Sequence, residues 1–79
     1  MRVLFFAQLK DVTGCAEISL EPAAPLSSDA LWGALLERFP SLKAHRSSVR
    51  LACNWEYAGP ETMFTRGDEV ALIPPVSGG

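Results

Sequence analysis

The stretch GDEVALIPPVSGG, Gly67 to Gly79, contains a turn, a strand, a stop and a tail in that order. Gly67-Asp68 is a turn signal, and EVALI, Glu69 to Ile73, is a run of branched and apolar residues that reads as a strand. Pro74 and Pro75 end it, because proline has no N–H to give to a ladder. Beyond them come Val76, Ser77, Gly78 and Gly79. The diproline holds the exit direction, and the two glycines remove every Cβ from the last two units, so such a tail can thread a narrow channel. Its one reactive group is the α-carboxylate of Gly79, a poor electrophile and poor nucleophile until a partner enzyme activates it as an acyl derivative. Four residues beyond Pro75 extend about 13 Å at roughly 3.3 Å each, enough to enter another protein's pocket while residues 1–75 stay outside as a domain. The plain alternative is a disordered end or an expression remnant.

Working back from that strand, the rest of the chain supplies its neighbours. RVLFFAQL, Arg2 to Leu9, is apolar and aromatic and reads as a central strand covered on both faces. Lys10 to Gly14 reads as a turn, with Gly14 free to take positive φ, and Cys15 to Leu20 as a second strand with Ala16, Ile18 and Leu20 on one face. Pro22 and Pro25 carry the chain to a helix capped by Ser27 or Ser28, with Asp29 in its first turn. Leu31, Leu35, Leu36 and Phe39 recur at helical spacing until Pro40. Ser41 to Ser48 reads as solvated loop, and Val49 to Asn54 as a third strand with Val49, Leu51 and Cys53 on one face. Tyr57-Ala58 reads as a short edge strand, Gly59-Pro60 as a turn, and Met63-Phe64 as a helical turn pinned to the core. The resulting order, β-β-α-β-β-β, lets the first and last strands lie side by side under one helix. This α+β class is the β-grasp arrangement: a mixed sheet with one main helix across one face.

Length and composition narrow the function classes. A chain of 79 residues makes one domain, because it buries only about 60% of its unfolded surface. No apolar run approaches the roughly 18 residues that cross a bilayer, and no basic region precedes VLFFA. The expectation is a cytoplasmic protein without a membrane partner. A net charge of −2, with cations scattered singly, excludes the basic face that nucleic acid requires. Cys15 and Cys53 form no CxxC and there is a single His, so no zinc site or redox pair is spelled out. Both cysteines read as small buried hydrophobes. His45, in KAHRSS, has no nucleophile or carboxylate at a useful spacing and reads as a solvated surface residue. Glu56, Glu61, Asp68 and Glu69 read as a solvated face, and Trp32 and Trp55 as core. No glycine-rich phosphate cradle occurs.

RVLFFAQLKDVTG at the start, CNWE at a strand end, GDEVALI and the closing PPVSGG together make the chain resemble the small subunits of molybdopterin synthases, which are ubiquitin-like sulfur carriers. GDEV followed within a few residues by PPVSGG is the specific part, and FFAQL adds support. Cys53 departs from the apolar residue usual there, and Glu21 to Ser48 carries nothing diagnostic.

The resemblance implies a non-catalytic sulfur-donor subunit with no active site of its own and no bound cofactor. An E1-like activating enzyme would adenylate Gly79 with ATP and magnesium. A persulfide sulfur donor would then convert it to a thiocarboxylate. The tail, with Val76, Ser77 and Gly78 threading, would enter the large catalytic subunit, where the sulfur attacks cyclic pyranopterin monophosphate to build the molybdopterin dithiolene. The large subunit would be a dimer with a carrier at each end, giving a heterotetramer. Leu72, Ile73, Pro74, Pro75 and Val76 are the expected docking residues, and Phe6 either joins them or lies in the core. The rival readings are a sulfur carrier for thiamine thiazole or cysteine synthesis and a ubiquitin-like modifier joined to protein lysines through Gly79.

Overall fold

The computed structural model describes residues 1–75. Its elements are β1 (Arg2–Phe5), α1 (Gln8–Thr13), β2 (Glu17–Ser19), α2 (Ser28–Arg38), a 3-10 helix (Pro40–Ser48), β3 (Arg50–Cys53), β4 (Glu56–Tyr57) and β5 (Glu69–Ile73). The strands form one sheet in the order β2-β1-β5-β3-β4. β5 lies at its centre, parallel to β1 and antiparallel to β3. The first and last strands are therefore neighbours, as the sequence predicts, and the architecture is the ubiquitin-like β-grasp.

Alternation along the strands separates two faces. Val3, Phe5, Ile18, Leu51, Val70 and Leu72 point to one side and pack with Leu31, Trp32 and Leu35 of α2. Helix α2 starts where Ser27 Oγ accepts a 3.1 Å hydrogen bond from Ala30 N–H, with Asp29 in the first turn. It ends at Phe39, whose ring meets Phe5 edge-on at 5.5 Å between centroids.

Several local expectations are corrected. The first strand stops at Phe5, and the predicted turn is the helix α1, which buries Leu9 and ends at Gly14 with φ 79°. A helix of six residues is too short to show a period or to be stable alone; its packing on β1 and the 3-10 helix holds it. Ala16 is exposed because β2 begins only at Glu17. Pro40 ends α2 and also opens the 3-10 helix, where proline's missing N–H costs nothing. That segment is anchored by fully buried Leu42, so it is no solvated loop, and His45 is half-buried within it. Phe64 enters the core through a two-hydrogen-bond bridge to Leu26, while Met63 stays exposed, so the predicted helical turn is absent. Trp32 is core, but Trp55 is not. Cys15 and Cys53 are free thiols, half-buried where full burial was expected.

Leu72 is the clearest case of a strand residue placed by alternation. Its exposure is 0%, on the α2 side, so it cannot serve the docking role expected of it. Leu72→Ala should lower stability by about 3 kcal/mol in urea unfolding, against about 1 kcal/mol for half-buried Ile73→Ala on the other face. Equal small losses at the two positions would contradict this assignment of faces.

Candidate functional site

Strand β5 carries the chain to its exit, and its neighbours build the surroundings. The parallel register sets Phe5 beside Leu72, so Phe6 follows at the level of Ile73. On the other side Arg50 is the register partner of Ile73. Ile73 and Pro74 are half-buried and Pro75 is exposed. A shallow cleft of about 180 Å³ lies next to them, lined by Ala52, Trp55, Tyr57 and Ile73. Ala52 and its register partner Ala71 are only 3% exposed, although both point away from α2. Two walls of the cleft are open to solvent, Trp55 at 66% and Tyr57 at 59% exposure, and Phe6 nearby is 38% exposed. The Phe6 and Trp55 rings stand 6.4 Å apart, and the Arg50 guanidinium lies 3.9 Å over the Tyr57 ring.

The hairpin that presents Trp55 is strained. Asn54 at φ 52° and Trp55 at φ 69° are the two central residues between the paired Cys53 and Glu56. A two-residue loop with both φ values positive is a type I′ turn, whose second position favours glycine. An indole there costs roughly 1–2 kcal/mol of backbone strain. Asn54 tolerates its own position and ties the turn to the start of β5. Its Nδ2 donates to Asp68 Oδ1 at 3.0 Å, its Oδ1 accepts from Glu69 N–H at 3.0 Å, and its N–H donates to the Glu69 carbonyl at 2.7 Å. Asp68 Oδ2 also accepts from Thr65 N–H at 2.8 Å. Among the described residues Ala7, after Phe6, is the other non-glycine with positive φ, at 51°.

Residues 3–79 match the family model described as the ThiS family. The chain belongs to the ThiS family. A relative from Arabidopsis thaliana, named molybdopterin synthase sulfur carrier subunit, is 37% identical over 79 residues, covering 100% of this chain and 82% of that protein. Among solved structures, SAMP1 from Haloferax volcanii superposes with a TM-score of 0.85 at 28% identity, covering 100% of this chain and 98% of the other. A chain from the complex of subunits 1 and 2 of molybdopterin-converting factor from Helicobacter pylori gives a TM-score of 0.69 at 25% identity, covering 99% and 96%.

Of the docking residues expected in this ThiS-family chain, Ile73, Pro74 and Pro75 line the exit, and Phe6 lies on the surface beside them. Leu72 faces the core. Val76, Ser77, Gly78 and Gly79, and with them the tail reading, lie outside the described residues. Sequence reading missed Trp55, Tyr57 and Arg50. The available signal was Asn54, a residue that tolerates positive φ, directly before the short Glu56–Tyr57 strand. Among the described residues no three metal-ligating side chains converge. The Cys53 thiol is pushed up to about 11, chiefly by burial and then by the nearby Asp68, so it stays protonated at neutral pH. Arg2 pairs with Glu17 and Glu69 at 2.8 Å each, and all three are solvated enough that the pairs add little.

The ionised Asp68 carboxylate supports the turn beneath the site. Its hydrogen bonds from Thr65 N–H and then Asn54 hold its pKa below the ordinary carboxylate value. A group depressed in this way stabilises the fold fully above its unfolded pKa, near 4, and that contribution is lost as pH falls through the lower folded value. Thermal unfolding from pH 6 downward should therefore show wild type losing its advantage over Asp68→Asn below about pH 4. A pH-independent gap between the two would remove the ionised clamp.

Proposed function

We propose that this chain is the sulfur-carrier subunit of a molybdopterin synthase, acting in the cytoplasm. The observation that carries the reading is the ThiS-family match through residue 79, together with full-length similarity to relatives named molybdopterin synthase sulfur carrier subunit. The fold supports it by bringing a diproline out of the central strand among exposed apolar residues. In the proposed cycle, an E1-like partner joins the Gly79 carboxylate to AMP from ATP with magnesium, releasing pyrophosphate. The outer sulfur of a persulfide donor then attacks the acyl carbon and displaces AMP to give an acyl disulfide. A second thiol on the donor side cleaves its S–S bond, ending as a disulfide with the donor sulfur and releasing the thiocarboxylate. Phe6, Ile73, Pro74 and Pro75 dock on the large catalytic subunit while Val76, Ser77 and Gly78 thread inward. There the sulfur attacks cyclic pyranopterin monophosphate to form a thioester joining carrier and pterin. Water cleaves the acyl–sulfur bond to leave sulfur on the pterin and return the Gly79 carboxylate, and two carriers act in turn to complete the dithiolene within a heterotetramer. A large-subunit partner is supported by similarity to a chain of the Helicobacter pylori two-subunit complex.

A second reading, a protein modifier joined through Gly79, is favoured by the similarity to SAMP1, a small archaeal modifier protein. Intact mass of the protein purified from its own cells separates the two. Replacement of one oxygen by sulfur adds about 16 Da to the C-terminal peptide, whereas the modifier reading yields isopeptide-linked adducts. Deleting Gly79 should abolish molybdopterin formation in a reconstituted synthase, and Gly79→Ala should slow activation or transfer. Full activity of the deletion would sink the carrier reading.

A further inference from the structure

Trp55 is costly to the isolated domain and adds little to its core. The indole sits at the glycine-favoured position of a type I′ turn, with φ 69°. At 66% exposure it gains little from burial. A residue held in a strained conformation that the fold does not need is a marker of function. Its surroundings show which function. The indole leans toward Phe6, itself followed by strained Ala7, and it shares a cleft with Ile73, the residue before the diproline.

The reach of the tail limits the occupant to a partner that acts on Gly79, and the similarity to a chain of the Helicobacter pylori two-subunit complex points to the large subunit. Four residues span at most about 13 Å beyond Pro75, so a partner that acts on Gly79 must seat its body against the surface around the exit. The Trp55 cleft is part of that surface, because Ile73 is one of its walls. We propose that Trp55 is a partner-anchoring residue whose indole packs into an apolar recess of the large synthase subunit, with an acceptor there for the indole N–H; this rests on the sulfur-carrier reading. Tryptophan suits the role because it brings large apolar area with few rotors to freeze and one donor to orient it. Trp55 touches no reacting atom; it positions the carrier.

The test uses the full chain and the purified large subunit, with Trp55→Gly and Trp55→Phe. Glycine relieves the positive φ, so Trp55→Gly should unfold at the wild-type temperature or higher while binding the large subunit at least about tenfold more weakly. Trp55→Phe should retain most of the binding. Trp32 is buried, so a blue shift of wild-type tryptophan emission on complex formation, absent in Trp55→Phe, reports the indole entering an apolar site. Sulfur transfer from thiocarboxylated Trp55→Gly should need at least about tenfold more large subunit to reach half of its maximal rate, the loss appearing in KM. If wild type and Trp55→Gly bind equally well, the anchor is overturned and the carrier reading stands. If wild type does not bind the large subunit, both fall. A drop in unfolding temperature for Trp55→Gly as large as that of a core truncation would make the indole structural and overturn the proposal. So would a wild-type self-dimer that Trp55→Gly dissolves.

Discussion

The molecule depends on the parallel ladder between β1 and β5. It joins Arg2 to Glu69 and Phe5 to Leu72, residues separated by up to 67 positions. A parallel pair cannot be closed by a tight turn, so a crossover must connect the two strands, and the chain between them supplies α2 to cover one face. With β3 bound to its other side, β5 has no free edge, and its Val70, Ala71 and Leu72 are all buried. A central strand of this kind is a rigid mount. From its end the diproline leaves the sheet with Phe6 on one flank and Arg50 on the other.

The same ladder makes the register decisive. Leu72 and Ile73 are adjacent and chemically alike, yet one fills the core and the other walls the exposed cleft, because successive side chains alternate across the sheet. A slip by one residue would bring Ile73 inward and expose Leu72. Asn54 guards against this at the start of β5, where its side chain and backbone pair with Glu69 and Asp68. The turn that fixes the register is thus the turn that displays Trp55. Stability of the mount and presentation of the surface are coupled through one asparagine.

The parts legible in sequence were those with a strong local signature. EVALI between Gly67-Asp68 and Pro74-Pro75 marks β5 to the residue, and Ser27 with the leucine spacing marks α2. What escaped was set by tertiary contact. Helix α1 and the 3-10 helix are short, and each is held by one buried leucine, Leu9 and Leu42, that no period reveals. Leu72 was misassigned because a central strand is apolar on both faces, so hydrophobicity alone cannot tell core from surface there. Trp55 was misread because tryptophan usually fills cores, and only the backbone angle at its turn shows that it is presented outward.

The fold thereby keeps chemistry and stability apart. No buried polar side chain occurs among the described residues, and the apolar core contains no group that a reaction would use. Under the carrier reading all reactivity lies at Gly79, beyond the diproline, within about 13 Å of the exit. Each enzyme that acts on Gly79 must then cover the same surface around Phe6, Ile73 and Pro75. Two such partners cannot sit there together. On that reading the carrier would have to leave the enzyme that loads its sulfur before joining the one that consumes it, an order set by the surface the two partners would share.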